Sequence, residues 1–476
     1  MKKKKVVIFG AGLSGLSCAY ELARNGQKVV IIEKNPYVGG MAHTFKVGDF
    51  SFDNGPHRWF TKNEEIDKWF KKLMGQELLK VPRLTHIYFK GKYFLYPIKV
   101  SNALLNIGPM KATQAVLDFL IAKIAQKISS QTPLTMEEAY VTQFGRTLYR
   151  IFFEGYNRKL WGLPANKLSG DWVIQRSRGL SIMTLVQDAL LPSKGKVVSL
   201  VDEFVFPKSG IGQATEKLRE KVEKLGGEVF LKSEVETLLT SDKKVKSVII
   251  KSSGRKKEIR ADEFVSSMPI DELVIKFIPK AKKDVLTKAG KLKYRDEIFV
   301  AIFVKKDRVT PDNWIYVQDP KIGFVRFQEM GNFSPFLSPK GTTSLVFEFP
   351  CNKDDATWQK SDKEMINWAI KDFTKEFGLI TNKNILSGFV YRQEKTYPTY
   401  TLDYQSLLKV VKEFVYSFSN LQIIGRSGMF RYNNMDHSVA TGLYAARNII
   451  AGKKIYDIEA VNLEKEYHEE KRVKEA

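Results

Sequence analysis

The chain has 476 residues, with 77 Lys and Arg against 53 Asp and Glu, for a formal net charge of +24. At about 100–200 residues per domain, this length implies two or three domains. A content of 43% hydrophobic and 27% charged residues excludes a disordered or collagen-like chain.

Cys18 and Cys351 lie far apart and outside any CxxC spacing, which excludes a disulfide scaffold and a cysteine-rich zinc module. They point to a reducing, cytoplasmic setting. The five histidines show no ligand spacing, so no metal is expected. The basic charge runs from end to end without an RNA- or DNA-binding motif, so no nucleic-acid partner is expected. It fits either a lysine-rich solvated surface or an anionic substrate or membrane. The apolar run Val6 to Phe9 ends at Gly10, too short for a signal-peptide core or a membrane span.

Val6 to Phe9 reads as a buried parallel strand. Gly10-Ala11-Gly12-Leu13-Ser14-Gly15 follows, and then the helical pattern Leu16, Ala19, Tyr20, Ala23. This is GxGxxG between strand and helix: Gly10 allows the tight turn, Gly12 the approach of a pyrophosphate, and Gly15 close helix–strand packing. Leu13 and Ser14 open the helix, whose free N–H groups face the phosphates. A second apolar run, Val29 to Ile32, ends in Glu33, placed to accept ribose hydroxyls and to repel a 2′-phosphate, with Lys34 beside it. Dinucleotide binding follows.

Asn35 to Thr44 holds a second glycine pair, Gly39-Gly40, followed by Met41, where a nicotinamide enzyme would continue with a helix. Here the chain resembles the superfamily of FAD-dependent amine oxidases, protoporphyrinogen oxidases and UDP-galactopyranose mutases. The resemblance implies FAD, with Gly39 and Gly40 supporting it. Met41 stands where many oxidases carry arginine. Gly55-Pro56-His57 resembles the segment under the flavin in mutase-like proteins, which puts His57 either beside the isoalloxazine ring or in its own loop's hydrogen bonding.

From Ala103 to Arg150, apolar residues such as Ala115, Leu117, Leu120, Ile121 and Ile124 recur at helical spacing, broken at Pro133. These helices either bury one face on a neighbouring domain or make a peripheral membrane contact. Gly155 to Arg176 then carries Lys159, Trp161, Gly162, Pro164 and Arg176, matching the Lys-x-Trp-Gly sequence of mutases and their relatives. Trp161 and Arg176 suit an anionic, ring-bearing substrate. Mutases place a second arginine four residues after the first, and this chain has Leu180 there, with Arg178 out of register.

Pro207 to Gly212 precede a helix to about Leu225, and the resemblance implies that the chain then returns to the cofactor domain through Glu228 to Leu231. By resemblance, Val235 meets adenine through its backbone. Ala261 to Val265 reads as a further strand of the same sheet. Between Asp296 and Tyr400, strand-like runs at Ile298–Val304, Trp314–Val317, Phe324–Phe327, Leu345–Phe349 and Phe389–Tyr391 predict an antiparallel sheet. Finally Gly425-Arg426, Tyr432 and Met435-Asp436 precede a helix and resemble the C-terminal FAD signature. Arg426, Met435 and Asp436 are implied near the flavin, and Tyr432 near substrate. The tail Glu464 to Ala476 reads as a solvated helix.

The expected fold is α/β: a Rossmann-type FAD-binding domain (1–85, 195–290 and 415–476), a helical subdomain (95–194) and an antiparallel-sheet substrate domain (291–414 with 86–94). The expected function is an FAD-dependent oxidoreductase on a small molecule. The alternative is a UDP-galactopyranose mutase-like isomerase using reduced FAD on a nucleotide sugar. His57, Trp161, Arg176 and Tyr432 are the candidate catalytic residues. The sequence leaves the oligomeric state open.

Overall fold

Val6, Val7, Ile8 and Phe9 are all buried, as a strand covered on both faces requires. In the computed structural model, which describes residues 3–96, 107–128, 132–177, 199–200, 203–462 and 470–471, the strand Lys5–Phe9 is the middle of a five-stranded parallel sheet. The order across it is Glu228–Phe230, Lys28–Ile32, Lys5–Phe9, Glu263–Ser266 and Leu421–Ile423. Counted along the chain this is third, second, first, fourth, fifth, a doubly wound order whose switch point lies beside Lys5–Phe9. The helix Leu13–Arg24 packs between Gly212–Lys224 and Met435–Ala451. At Gly442 a Cβ would fall 2.2 Å from the Ser14 carbonyl, so this contact needs glycine.

The second sheet has seven strands, in the order Ile385–Thr399, Lys293–Val304, Thr343–Cys351, Arg326–Glu329, Trp314–Val317, Thr85–Phe89 and Lys92–Leu95. It is antiparallel except that Trp314–Val317 runs parallel to Thr85–Phe89. The run expected at Phe324–Phe327 forms its strand at Arg326–Glu329. Alternation along Lys293–Val304 sends Ile298, Val300 and Ile302 toward Met365, Ala369 and Phe373 of the helix Asp362–Phe377. Phe299, Ala301 and Phe303 point the other way, into the core shared with the cofactor half. The helix Tyr404–Tyr416 packs Leu407, Val411 and Val415 into the cluster of Phe264 and Leu421 on the parallel sheet.

The helices Pro109–Ile128, Met136–Phe144, Arg146–Tyr149 and Gly155–Trp161 pack on one another and on the seven-stranded sheet, Phe119 and Phe152 meeting Ile87 and Phe94 and Trp161 meeting Tyr397. Pro133 precedes a capping box in which Thr135 and Glu138 close the start of the second of these. Pro109–Ile128 buries Ala115 and Phe119, while Met110, Leu117, Ile121, Ile124 and Ile128 on its opposite face are exposed. Among the described residues no helix is long and apolar enough to cross a membrane. Of the tail, Glu470–Lys471 pairs as a strand with Ser199–Leu200 where a helix was expected, and the rest lies outside the described residues.

Candidate functional site

Helix Leu13–Arg24 starts directly at Gly12, which supplies no side-chain cap. Its first intrahelical bond is Leu16 N–H to the Gly12 carbonyl at 2.9 Å, so the N–H groups of Leu13 and Ser14 remain for a ligand. A Cβ on Gly12 would meet nothing nearer than the Gly39 carbonyl at 3.8 Å, whereas one on Gly15 would lie 2.0 Å from the Gly10 carbonyl. Gly12 leaves room for a ligand, and Gly15 leaves room for the protein. Glu33 is buried at the tip of Lys28–Ile32 and accepts the Ala11 N–H at 2.8 Å and the Asn35 N–H at 2.9 Å. Its carboxylate therefore holds the glycine loop as well as offering lone pairs to a ribose.

Gly39 crosses in front of this loop, donating its N–H to the Ala11 carbonyl at 2.9 Å with φ +115°, a backbone shape that L side chains rarely adopt. Together these segments bound a cleft of about 290 Å³. Gly10, Gly12, Leu13, Ser14, Glu33, Lys34, Gly39, Gly40, Met41, His57, Val235, Arg426 and Met435 all line it, as do Ser267, Lys395, Asn433 and Ser438, which the sequence did not single out. Gly15, Gly55, Pro56, Gly425 and Asp436 do not line it. Gly425 instead packs on Ser14, where a Cβ would fall 2.4 Å from the hydroxyl, and Asp436 is buried in the first turn of its helix. The open Gly12 cradle, the free helix N-terminus and the buried, unpartnered Nδ1 of His57 fit a dinucleotide carrying a ring system at the His57 end.

Beyond His57 stands the cofactor-facing side of the seven-stranded sheet. Cross-strand register sets Tyr391, Phe299, Glu348, Arg326 and Tyr316 in one row. The turn at Gly55 lies over this row, with Glu348 Oε1 and Phe299 about a van der Waals contact from where a Cβ would stand. Gln328 fastens the turn by donating to the Asp53 carbonyl at 3.1 Å. Arg326 donates from Nε to Glu348 Oε1 at 2.8 Å and from Nη2 to Oε2 at 2.5 Å, with its guanidinium 5.5 Å from the Tyr316 ring centre. Arg426 donates to the Asn433 carbonyl at 3.0 and 2.8 Å and lies over the rings of Tyr432 and Tyr397, at 4.9 and 5.5 Å. Those two rings stack with centroids 5.4 Å apart. Burial, reinforced by the charges of Arg426 and Arg326, pulls His57 down to about 3, so its ring is neutral.

Trp161 is buried edge-on to Tyr397 and Trp172 and does not line the cleft, so it supports the tyrosine wall from behind. Lys159 donates to the carbonyls of Val317, Asp319 and Phe324 at 3.1, 3.1 and 2.7 Å, tying its helix to the sheet. Arg295 donates to the Leu160 carbonyl at 2.9 Å and sits where any side chain on Gly162 would be. The backbone of Arg176 belongs to the helix Asp171–Ser177, while its side chain, like Leu180, lies outside the described residues. Among the described residues no group of three or more His, Cys, Asp or Glu is placed to hold a metal.

Against known families, residues 13–450 match the model of the flavin containing amine oxidoreductases. The chain belongs to that family. The resemblance read from the glycine motifs is borne out, and the cofactor is FAD. Among curated relatives, a probable UDP-galactopyranose mutase of Klebsiella pneumoniae is 31% identical over 175 residues, 35% of this chain and 44% of that one. A 1-hydroxycarotenoid 3,4-desaturase of Flavobacterium sp. is 24% identical over 261 residues, 52% of this chain and 53% of that one. The matches thus span about half or less of these relatives' lengths. Among solved structures, a reduced UDP-galactopyranose mutase superposes with a TM-score of 0.83 at 21% identity, covering 98% of this chain and 97% of that one. A putrescine oxidase with putrescine bound gives 0.62 at 15%, covering 94% and 99%. Both show the fold, and it is the expected one: a parallel cofactor sheet joined to a largely antiparallel second sheet.

Proposed function

We propose that this family member is an FAD-dependent oxidoreductase acting on a small anionic molecule, bound where the cofactor cleft meets the sheet face of Arg326 and Glu348. The observation that carries this reading is the position of His57 and Arg426. Both line the cleft, and both lie within the electrostatic reach of the Arg326 cluster. Bound FAD supplies the two-electron acceptor. The chain's own residues bind and orient: Arg426 and Arg326 offer guanidinium groups to an anion, the Tyr397–Tyr432 pair offers an aromatic wall, and neutral His57 offers a ring nitrogen without holding a charge against the flavin. Trp161 acts through Tyr397, and Arg176 is assigned to the substrate side. Anaerobic mixing of the oxidised holoprotein with carboxylate- and phosphate-bearing amines and alcohols tests the reading. Bleaching of the flavin band is expected with one of these classes, and a flavin band unmoved by all of them contradicts it.

A second reading, a mutase without net redox, is favoured by the 31% identity to the Klebsiella protein together with the arginine–tyrosine wall. It requires the flavin to stay reduced through turnover. Its test is anaerobic reduction, addition of UDP-galactofuranose and chromatography for UDP-galactopyranose. The exposed apolar face of Pro109–Ile128, flanked by Lys111 and Lys127, supports a peripheral membrane contact.

A further inference from the structure

Glu297 lies on Lys293–Val304 with no exposed surface, and neither carboxyl oxygen receives a hydrogen bond from a donor group; the carboxyl of Glu348 is within hydrogen-bonding reach. It stands on the same sheet face as Phe299, two residues on, and Phe299 is paired with Glu348. Glu297 is therefore a diagonal neighbour of a second buried carboxyl group. The groups that face it are Glu348 and Arg326 across the sheet, Tyr397 on Ile385–Thr399, Arg426 on the short helix Gly425–Gly428, and the buried thiol of Cys351. Pro350 and Gln393 sit opposite it on the two adjoining strands.

Neither guanidinium makes a hydrogen bond to Glu297. Arg326 gives Nε and Nη2 to Glu348, and Arg426 gives its donors to the carbonyls of Asn433 and Thr396. A carboxylate with neither oxygen solvated, beside another carboxylate, is one of the most costly placements in a protein interior, and such a group takes up a proton instead.

We propose that Glu297 is held as a neutral carboxylic acid and thereby sets the charge of the substrate pocket. Arg326 and Arg426 then face the single carboxylate of Glu348, so one positive charge is left for the anionic group of a substrate. Glu297 is a positioning residue: it is sealed from the cleft and acts through the field it does not oppose. The inference deepens the anionic-substrate reading and rests on it for its consequence, though not for its chemistry. Burial raises the Glu297 carboxyl well above the usual range, with the charge of Glu348 adding to the effect.

The test compares the flavin-loaded protein with its Glu297→Gln variant, an isostere of the neutral acid, after equal flavin loading shows that both fold. The wild-type-minus-variant infrared difference at neutral pH is expected to show the carbonyl stretch of a protonated carboxylic acid. UDP, used as the anionic probe and followed through the flavin absorbance, is expected to bind the two proteins within about twofold of each other. Carboxylate stretches in place of the acid band, with the variant binding UDP about tenfold tighter or more because a negative charge has been removed, would overturn the proposal. If UDP binds neither protein, the nucleotide-sugar reading fails, while the infrared band still decides the state of Glu297.

Discussion

Arg326 and Glu348 are joined by two hydrogen bonds directly across neighbouring strands, at 2.8 and 2.5 Å, beneath the turn that carries His57. Glu348 is fully buried, with the Arg326 guanidinium as its ion-pair partner. Arg326→Met should lower stability by about 3–5 kcal/mol, because it leaves a buried carboxylate uncompensated. The double change Arg326→Met with Glu348→Leu should recover most of that loss. Denaturant midpoints of the three proteins measure both effects, and a single variant as stable as the wild type would show that the pair is not buried as described.

The two glycines of the first loop should behave differently. Gly12→Val adds side-chain atoms to open cleft, so the protein should fold and purify without flavin. Gly15→Val drives a side chain into the Gly10 carbonyl, so it should lose fold and flavin together. Flavin absorbance per mole of protein, read beside circular dichroism, separates the two outcomes.

How stability depends on pH should expose two buried groups of opposite sign. His57 is pulled from 6.5 to about 3, so between those values the unfolded chain binds a proton that the folded site refuses, and stability falls as pH drops. Burial raises Asp53 from 3.8 to about 7, so there the folded chain binds the extra proton, and stability falls as pH rises. From pH 3.8 to 6.5 the two trends oppose each other. His57→Gln should therefore gain stability over wild type toward low pH, and Asp53→Asn toward high pH. Each difference should change by at most about 1.4 kcal/mol per pH unit. Flat variant-minus-wild-type differences across that window would contradict the burial of these groups.

The cofactor half was legible because its signals are local. Gly10, Gly12, Gly15 and Glu33 lie within one strand–helix–strand unit, and each does its work through the backbone beside it. Gly39 and Gly40 were legible for the same reason. Arg326, Glu348, Glu297 and Tyr397 were not, because they come from four strands spread over a hundred residues, and only cross-strand register brings them together. No spacing in the sequence encodes that register. Trp161 stood out by its motif, yet it supports Tyr397 from behind. The motif marks a packing junction, in which Lys159 reaches the carbonyls of Val317, Asp319 and Phe324 and Arg295 caps the Leu160 carbonyl just before the Trp-Gly turn.

The outer face of Pro109–Ile128 predicts adsorption to anionic membranes. The wild type should co-sediment with phosphatidylglycerol vesicles more than with phosphatidylcholine vesicles, and Leu117→Glu with Ile121→Glu should abolish this. Equal recovery of both proteins in the supernatant would remove the membrane from the account, and a variant that changes only the mass in light scattering would point to a second copy instead.

The central claim is that flavin and an anionic substrate meet at the Arg326 face. Its most direct measurement is the anaerobic half-reaction of the oxidised holoprotein, mixed with carboxylate- and phosphate-bearing amines and alcohols beside an Arg326→Lys control. The account predicts that one class bleaches the flavin band, and that in the control, which loses the paired donors of the guanidinium, the half-saturating concentration rises about tenfold or more. A flavin band that stays oxidised with every class, or one that bleaches equally in both proteins, would contradict it.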